Sequence, residues 1–309
     1  MIDTRRVSQR DEKFWRRLDR GELIRLTKTM VMEQRCFAEL KPWEKCEAKA
    51  AAVGLGTRSA VVSGMAAARL HGLSVLGHAD VVELTLPGTG KPSGRAKWMK
   101  GTRVFASLLP GHHVHTEHGI RVTTLLRTAA DITRYHGELH GVVCFDSIFR
   151  KHPELSKKRA ETILRGFRRF HGLAGVHQAL RLSVTNSDSV PESHARYLLL
   201  TQMEEIKTIE VQAQIVDPHT RRVYRVDLLV NGWLVIEIDG RVKYDGETYG
   251  PLEQTVLAER DREKALQNQG YMVLRINPQD LFPLADATVP FLVLVRQTLC
   301  KGSRSRRNG

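Results

Sequence analysis

Cysteine is scarce in this chain of 309 residues, and its four examples, Cys36, Cys46, Cys144 and Cys300, form no Cys-x-x-Cys pair and no regular spacing. That argues against zinc ribbons and a disulfide framework and for a reducing compartment. Long apolar runs are missing as well. None approaches the roughly eighteen residues of a membrane span, and Met1-Ile-Asp-Thr-Arg-Arg lacks the apolar core of a signal peptide. The expectation is a cytoplasmic protein without membrane contact. At 41% hydrophobic residues, the chain is long enough for two domains with ordinary cores.

Charge is abundant and unevenly shared. The whole chain is +14, yet residues 190–300 hold 12 Lys and Arg against 16 Asp and Glu. Residues 1–189 carry a net +14, and the tail after residue 300 adds Lys301, Arg304, Arg306 and Arg307. A basic half joined to a carboxylate-rich half suggests one part that grips phosphate and another that holds metal. Arginine runs such as Arg5-Arg6, Arg16-Arg17 and Arg165 to Arg169 favour a nucleic-acid partner over mere solubility.

The most informative stretch runs from Asp227 to Gly240. Val223 to Val230 alternates as a strand, and Trp233 to Ile238 is a short apolar run suited to a buried one. Asn231-Gly232 between them is the pair a two-residue type I′ turn demands. A hairpin folded about that turn sets Asp227 opposite Ile236, so Asp227 and Glu237 meet at one end. Acidic residues closing an apolar strand need compensation. Hard oxygen ligands of this kind suit Mg²⁺ or Mn²⁺. The alternative is that Asp227 pairs with Arg225 or Arg241, while Glu237 and Asp239 form a solvated strand end.

With its surroundings, this hairpin resembles the PD-(D/E)XK nuclease superfamily, in particular very-short-patch-repair-like endonuclease domains, over residues 188 to 299. The features run in order: Pro191-Glu192 opening an apolar helix, the Asp227 strand, Glu237-Ile-Asp239-Gly240, the charged helix Glu259-Arg-Asp-Arg-Glu-Lys-Ala-Leu, and the strand Tyr271 to Ile276. The resemblance implies Glu192, Asp227, Glu237 and Lys243 as catalytic residues, with Asp227, Glu237 and Asp239 around the metal. The superfamily has lysine two residues after the glutamate, where this chain has Asp239, and Lys243 is carried over for that role. Arg241, Arg260 and Lys264 would touch the nucleic-acid backbone, as would Arg165, Arg168 and Arg169 at the end of a basic helix from Leu155 to Phe170.

The first half carries a second resemblance, to the AbiEi-like antitoxins of type IV toxin-antitoxin systems, over residues 10 to 185. Its carriers are Phe14-Trp-Arg-Arg-Leu18 followed by two short strands, the phrase Ser63-Gly-Met-Ala-Ala-Ala-Arg-Leu-His71-Gly-Leu, and Gly119-Ile-Arg-Val-Thr-Thr-Leu-Leu-Arg127-Thr-Ala-Ala-Asp131. Ser63 reads as the N-cap of the helix after it. Only about twenty residues precede the wing-like strands, too few for a full winged helix. Backbone contacts to nucleic acid or a protein partner, such as a toxin, are therefore expected rather than base readout. His112, His113, His115 and His118 invite a metal reading, with His113 and His115 on one strand face, but no Cys or Asp nearby completes a ligand set, and a solvated strand is preferred.

The expected architecture is α+β. Residues 1–187 form a basic helical domain with small β elements, partly winged-helix-like. Residues 188–300 form a restriction-endonuclease-like mixed sheet flanked by helices, and 301–309 a basic tail. The expected function is metal-dependent DNA endonuclease, RNA remaining open as a substrate. The alternative is a non-catalytic DNA-binding, antitoxin-like regulator that keeps the nuclease fold.

Overall fold

The computed structural model describes residues 1–77, 81–88, 90, 99–218, 220–238 and 252–307, with backbone alone at 252–259 and 302–307. Its contacts separate Met1–Ser183 from Val184–Gly309. Both units are mixed α and β, and among the described residues there are three sheets.

The first unit opens with a small antiparallel sheet of β1 (Ile2–Asp3), β2 (Leu23–Arg25) and β3 (Met30–Glu33), ordered β1-β3-β2. Helix α1 (Glu12–Asp19) begins where the Asp11 carboxylate accepts the Phe14 amide at 3.0 Å. Phe14 then packs on Leu23 and Val31. After α2 (Gln34–Glu39) and α3 (Pro42–Gly56) come β4 (Val61–Val62), α4 (Gly64–Leu70), β5 (Val82–Pro87), β6 (Thr102–Ser107), β7 (Val114–Glu117) and β8 (Ile120–Thr123). The last five strands form one mixed sheet ordered β6-β5-β4-β8-β7. It is larger than the small β elements expected, because β5 and β6 escape the sequence reading. In β5, Glu83 and Thr85 are as buried as Val82 and Leu84, so its alternation hides a strand covered on both faces.

Helices α5 (Leu125–His136), α6 (Glu138–Lys151), α7 (Lys157–Arg165) and α8 (Leu173–Leu182) complete this unit. Helix α7 stops at Arg165, with Gly166 closing it. The basic helix expected to reach Phe170 is thus shorter, because Phe167 and Phe170 turn inward just beyond it. Helix α5 carries a wholly buried ion pair. Arg127 Nε donates to Asp131 at 3.0 Å, and its remaining nitrogens reach the Leu108 carbonyl, Ser107 Oγ and His113 Nδ1. His113 is accordingly buried in a short 3₁₀ turn before β7, not on a strand beside His115.

Ser63 does not cap α4 with its side chain. The Met65 amide donates instead to Glu83 Oε2 at 2.8 Å, while His136 Nε2 lies 2.7 Å from Glu83 Oε1. Gly64 makes this close approach feasible: its φ is +57°, and a Cβ there would sit 2.0 Å from the Glu83 carboxylate.

The second unit runs α9 (Val190–Gln202), β9 (Ile209–Val216), β10 (Val223–Val230), β11 (Leu234–Ile238), α10 (Leu252–Asn268), β12 (Met272–Ile276) and α11 (Pro290–Arg307). Its sheet is ordered β12-β11-β10-β9, with the first pair parallel and the other two antiparallel. Two apolar clusters cover it. Leu228, Val230, Leu234, Ile236 and Ile238 pack with Ala195, Leu198 and Leu199 of α9 and Phe291 and Val295 of α11. Ala213, Ile215, Val226, Leu229 and Val235 pack instead with Leu266 of α10.

Simple alternation would put Val226 with Leu228, and Val211 with Ala213. In each strand the two members of the pair belong to different clusters. Strands β9 and β10 therefore exchange faces at one step, between Val226↔Ala213 and Leu228↔Val211. That step holds Gln212, whose φ of +53° is rare for a residue with a side chain, and Asp227.

The turn between β10 and β11 has positive φ at both Asn231 and Gly232, as their identities predict. The connection is one residue longer than expected, because Trp233 belongs to it and Val230 pairs with Leu234. Leu228 then faces Ile236, so Asp227 is not opposite Ile236 and instead accepts the Ile238 amide.

Candidate functional site

Helix α9 begins with a tightly organised carboxylate. Glu192, in its first turn, is 5% exposed. Ser189, the N-cap, accepts the Glu192 amide and donates its hydroxyl to Glu192 Oε1 at 2.7 Å. Glu192 Oε2 accepts from the Asp188 amide at 3.0 Å and from Gln212 Nε2 at 2.7 Å. Burial pushes the Glu192 carboxyl above its usual range, and the neighbouring charge of Asp227 adds to that push. The bonds from Asp188, Ser189 and Gln212 pull the other way.

Asp227 comes to this place through the face exchange of its strand. Its Oδ2 accepts the Ile238 amide at 2.8 Å, so the carboxylate bridges β10 to the end of β11. Glu237 shares the parity of Val235, whose cluster lies under α10. Its Oε1 accepts from Arg262 Nη2 at 2.6 Å, and the same nitrogen donates to the Arg225 carbonyl at 2.5 Å. Arg225 in turn reaches Asp188 Oδ2 at 2.5 Å. Hydrogen bonds thus connect α10, β10 and the start of α9.

Gln212 ties Glu192 to the step that holds Asp227, whose charge acts on the Glu192 carboxyl, and Glu237 is held by Arg262. Asp239, Arg241 and Lys243 lie outside the described residues. Arg260 and Lys264 are exposed on α10, on either side of Arg262. Arg165, Arg168 and Arg169 are exposed in the first unit, where Arg165 also pairs with Glu161 at 2.7 Å.

Two side chains escape the sequence reading. Gln212 gives no local signal, since a polar residue in a strand usually faces solvent. Arg262 does give one: it precedes buried Leu266 by four residues, which puts both on one helical stripe.

Among the described residues, no three His, Cys, Asp or Glu groups are grouped so as to hold a metal ion. Mg²⁺ rarely needs such a cage. It keeps several waters and takes one or two carboxylates beside substrate oxygens, and the hard donors Glu192 and Asp227 fit that requirement.

The first unit has a concavity of its own, about 770 Å³ in volume, with Leu70, Leu125, Leu126 and Leu155 among its apolar lining and His71, His112, His115 and His152 among its polar lining. His71 Nε2 lies 2.7 Å from the Thr123 carbonyl, and burial lowers its pKa. Since only a protonated nitrogen can donate to that oxygen, the neutral imidazole carries its proton on Nε2.

Comparison of the chain with family models, with curated proteins and with solved structures gave no match. Among the described residues, no helix is long and apolar enough to cross a membrane.

Proposed function

We propose that the second unit is a metal-dependent endonuclease domain acting on DNA, and that the basic first unit binds nucleic acid or a protein partner. One observation carries the reading: Glu192, whose carboxyl feels the charge of Asp227, is bound by Gln212 where two strands exchange faces and Gln212 takes a left-handed backbone. Strain of this kind costs about 1–3 kcal/mol and tends to collect at functional sites.

The bound Mg²⁺ or Mn²⁺ would polarise the phosphodiester and acidify an attacking water. Glu192 and Asp227 would hold it, with Glu237 and Asp239 as further oxygen donors. Burial raises the Glu192 carboxyl, and the positive charge of a cation held there would favour its ionised, ligating form. Gln212 and Ser189 fix the carboxylate from opposite oxygens, so it enters the reaction already oriented. Lys243 would orient water or stabilise charge on phosphorus, while Arg241, Arg260 and Lys264 contact the nucleic-acid backbone. A non-catalytic, antitoxin-like DNA binder is the second reading. The Glu237–Arg262 ion pair favours it, because a neutralised carboxylate needs no metal.

The deciding experiment is Mg²⁺- or Mn²⁺-dependent nicking of supercoiled plasmid by the full chain, beside Asp227→Asn and Glu192→Gln. Metal-dependent nicking lost in both variants supports the endonuclease. Salt-sensitive plasmid binding without cleavage under either metal assigns the chain to the second reading.

A further inference from the structure

Arg262 sits where a divalent cation would compete with it. Its side chain is 25% exposed and that of Glu237 11%, so the pair is largely shielded from water, and their 2.6 Å separation is that of a charge-assisted hydrogen bond. Glu237 immediately precedes Ile238, whose amide Asp227 accepts, and the Glu237 carboxylate is bound by Arg262 of α10. The guanidinium also has a second anchor, the Arg225 carbonyl at 2.5 Å, which belongs to the strand that carries Asp227. Releasing Glu237 therefore leaves Arg262 tethered beside the site.

We infer that Arg262 and a divalent cation are alternative partners of the Glu237 carboxylate, so that Arg262 gates the site. This rests on the endonuclease reading and deepens it. In the metal-free protein Arg262 holds Glu237 and supplies the compensating positive charge. When Glu237 turns to the metal, the guanidinium keeps its bond to the Arg225 carbonyl and its freed donors face the phosphate of the nucleic acid. Arginine suits the exchange because its planar group has five donors and serves a carbonyl and an anion together. One side chain thus keeps the carboxylates from repelling each other before metal arrives and binds the anionic substrate afterwards.

The test is Mn²⁺ affinity, measured by electron paramagnetic resonance on the full chain, for the parent protein, Asp227→Asn, Arg262→Met, Arg262→Lys and Arg262→Met combined with Glu237→Gln. Methionine keeps much of the bulk without the charge, and lysine keeps the charge without the fork. The gate predicts that Arg262→Met tightens Mn²⁺ about tenfold, the loss of one charge-assisted hydrogen bond competing with metal. Arg262→Lys falls between parent and Arg262→Met, and adding Glu237→Gln abolishes the gain. Plasmid affinity in the presence of Mn²⁺ drops in Arg262→Met although metal binds better. Asp227-dependent Mn²⁺ binding that is unchanged in both single Arg262 variants overturns the gate and leaves the endonuclease reading standing. Absence of Asp227-dependent Mn²⁺ binding in the parent overturns both.

Discussion

The Asp227 carboxylate accepts the backbone amide of Ile238 at 2.8 Å, so the side chain with the strongest claim to a metal also closes the β10–β11 hairpin. Its two roles separate by substitution. Asp227→Asn keeps an acceptor oxygen and is expected to cost under about 1 kcal/mol in urea unfolding. Asp227→Ala leaves the amide without its partner and costs about 1–3 kcal/mol. Both lose Mn²⁺ binding. An Asn variant that binds Mn²⁺ as the parent does would show that Asp227 acts as a hairpin clasp alone.

Gln212 pays for its position with a left-handed backbone, so glycine there offers a clean comparison. Gln212→Gly recovers about 1 kcal/mol of backbone strain and loses a hydrogen bond to a carboxylate worth about 1.5–3 kcal/mol. The expected stability change is therefore small, within about 2 kcal/mol, while plasmid nicking falls about tenfold as Glu192 loses one of its orienting donors. Unchanged nicking at unchanged stability would remove Gln212 from the site.

Gly64→Ala is expected to be severe. Alanine at φ +57° costs about 1 kcal/mol on its own, and its Cβ would collide with the Glu83 carboxylate. Moving that carboxylate breaks its bonds with the Met65 amide and His136. The total expected loss is about 3 kcal/mol or more. Thermal and urea unfolding check it, and a loss below 1 kcal/mol would mean that Glu83 is not fixed where the structure puts it.

His113 gives the first unit a pH dependence. Arg127 can only donate, so His113 Nδ1 must be the acceptor, and protonation there breaks the contact. Burial, then the charges of Arg127 and His112, lower its pKa from 6.5 to about 4. Between these values the unfolded chain binds a proton that the folded chain does not. Stability contributed by His113 is thus full above pH 6.5 and is lost as pH falls towards about 4. His113→Gln keeps an acceptor and does not titrate, so its unfolding free energy should fall less over that window. Parallel curves for the two proteins would argue against a neutral His113.

The hairpin was legible because its cues are local. Asn231-Gly232 demanded positive φ and has it at both positions. The register was off by one because Trp233 joins the turn, donating to the Val230 carbonyl while its own carbonyl accepts the Met272 amide. That second bond comes from a strand nearly forty residues away, which no local pattern announces. Asn231 has a similar hidden role, its Oδ1 accepting the Lys207 amide at 2.7 Å. Ser63 stands at the N-cap of α4, but the carboxylate that takes an amide there is Glu83, eighteen residues beyond Met65 and out of reach of any local pattern. The carboxylates of the candidate site were visible as residue types. Their arrangement depends on the Gln212 backbone and on Arg262, and only the latter left a trace in helical spacing.

The exchange of faces along β9 and β10 has a consequence for how this unit tolerates change. Leu228, Val230 and Val211 on one side of the step belong to the cluster under α9 and α11, while Val226, Ala213 and Ile215 on the other side belong to the cluster under α10, which Leu229 also joins. Substitutions in Leu198 and Leu266, one from each cluster, should combine additively, because the two share no packing partner in those clusters. The seam at Gln212 and Asp227 is different, since a side chain there answers to both halves at once. The unit can be rebuilt half by half everywhere except at the place that holds its carboxylates.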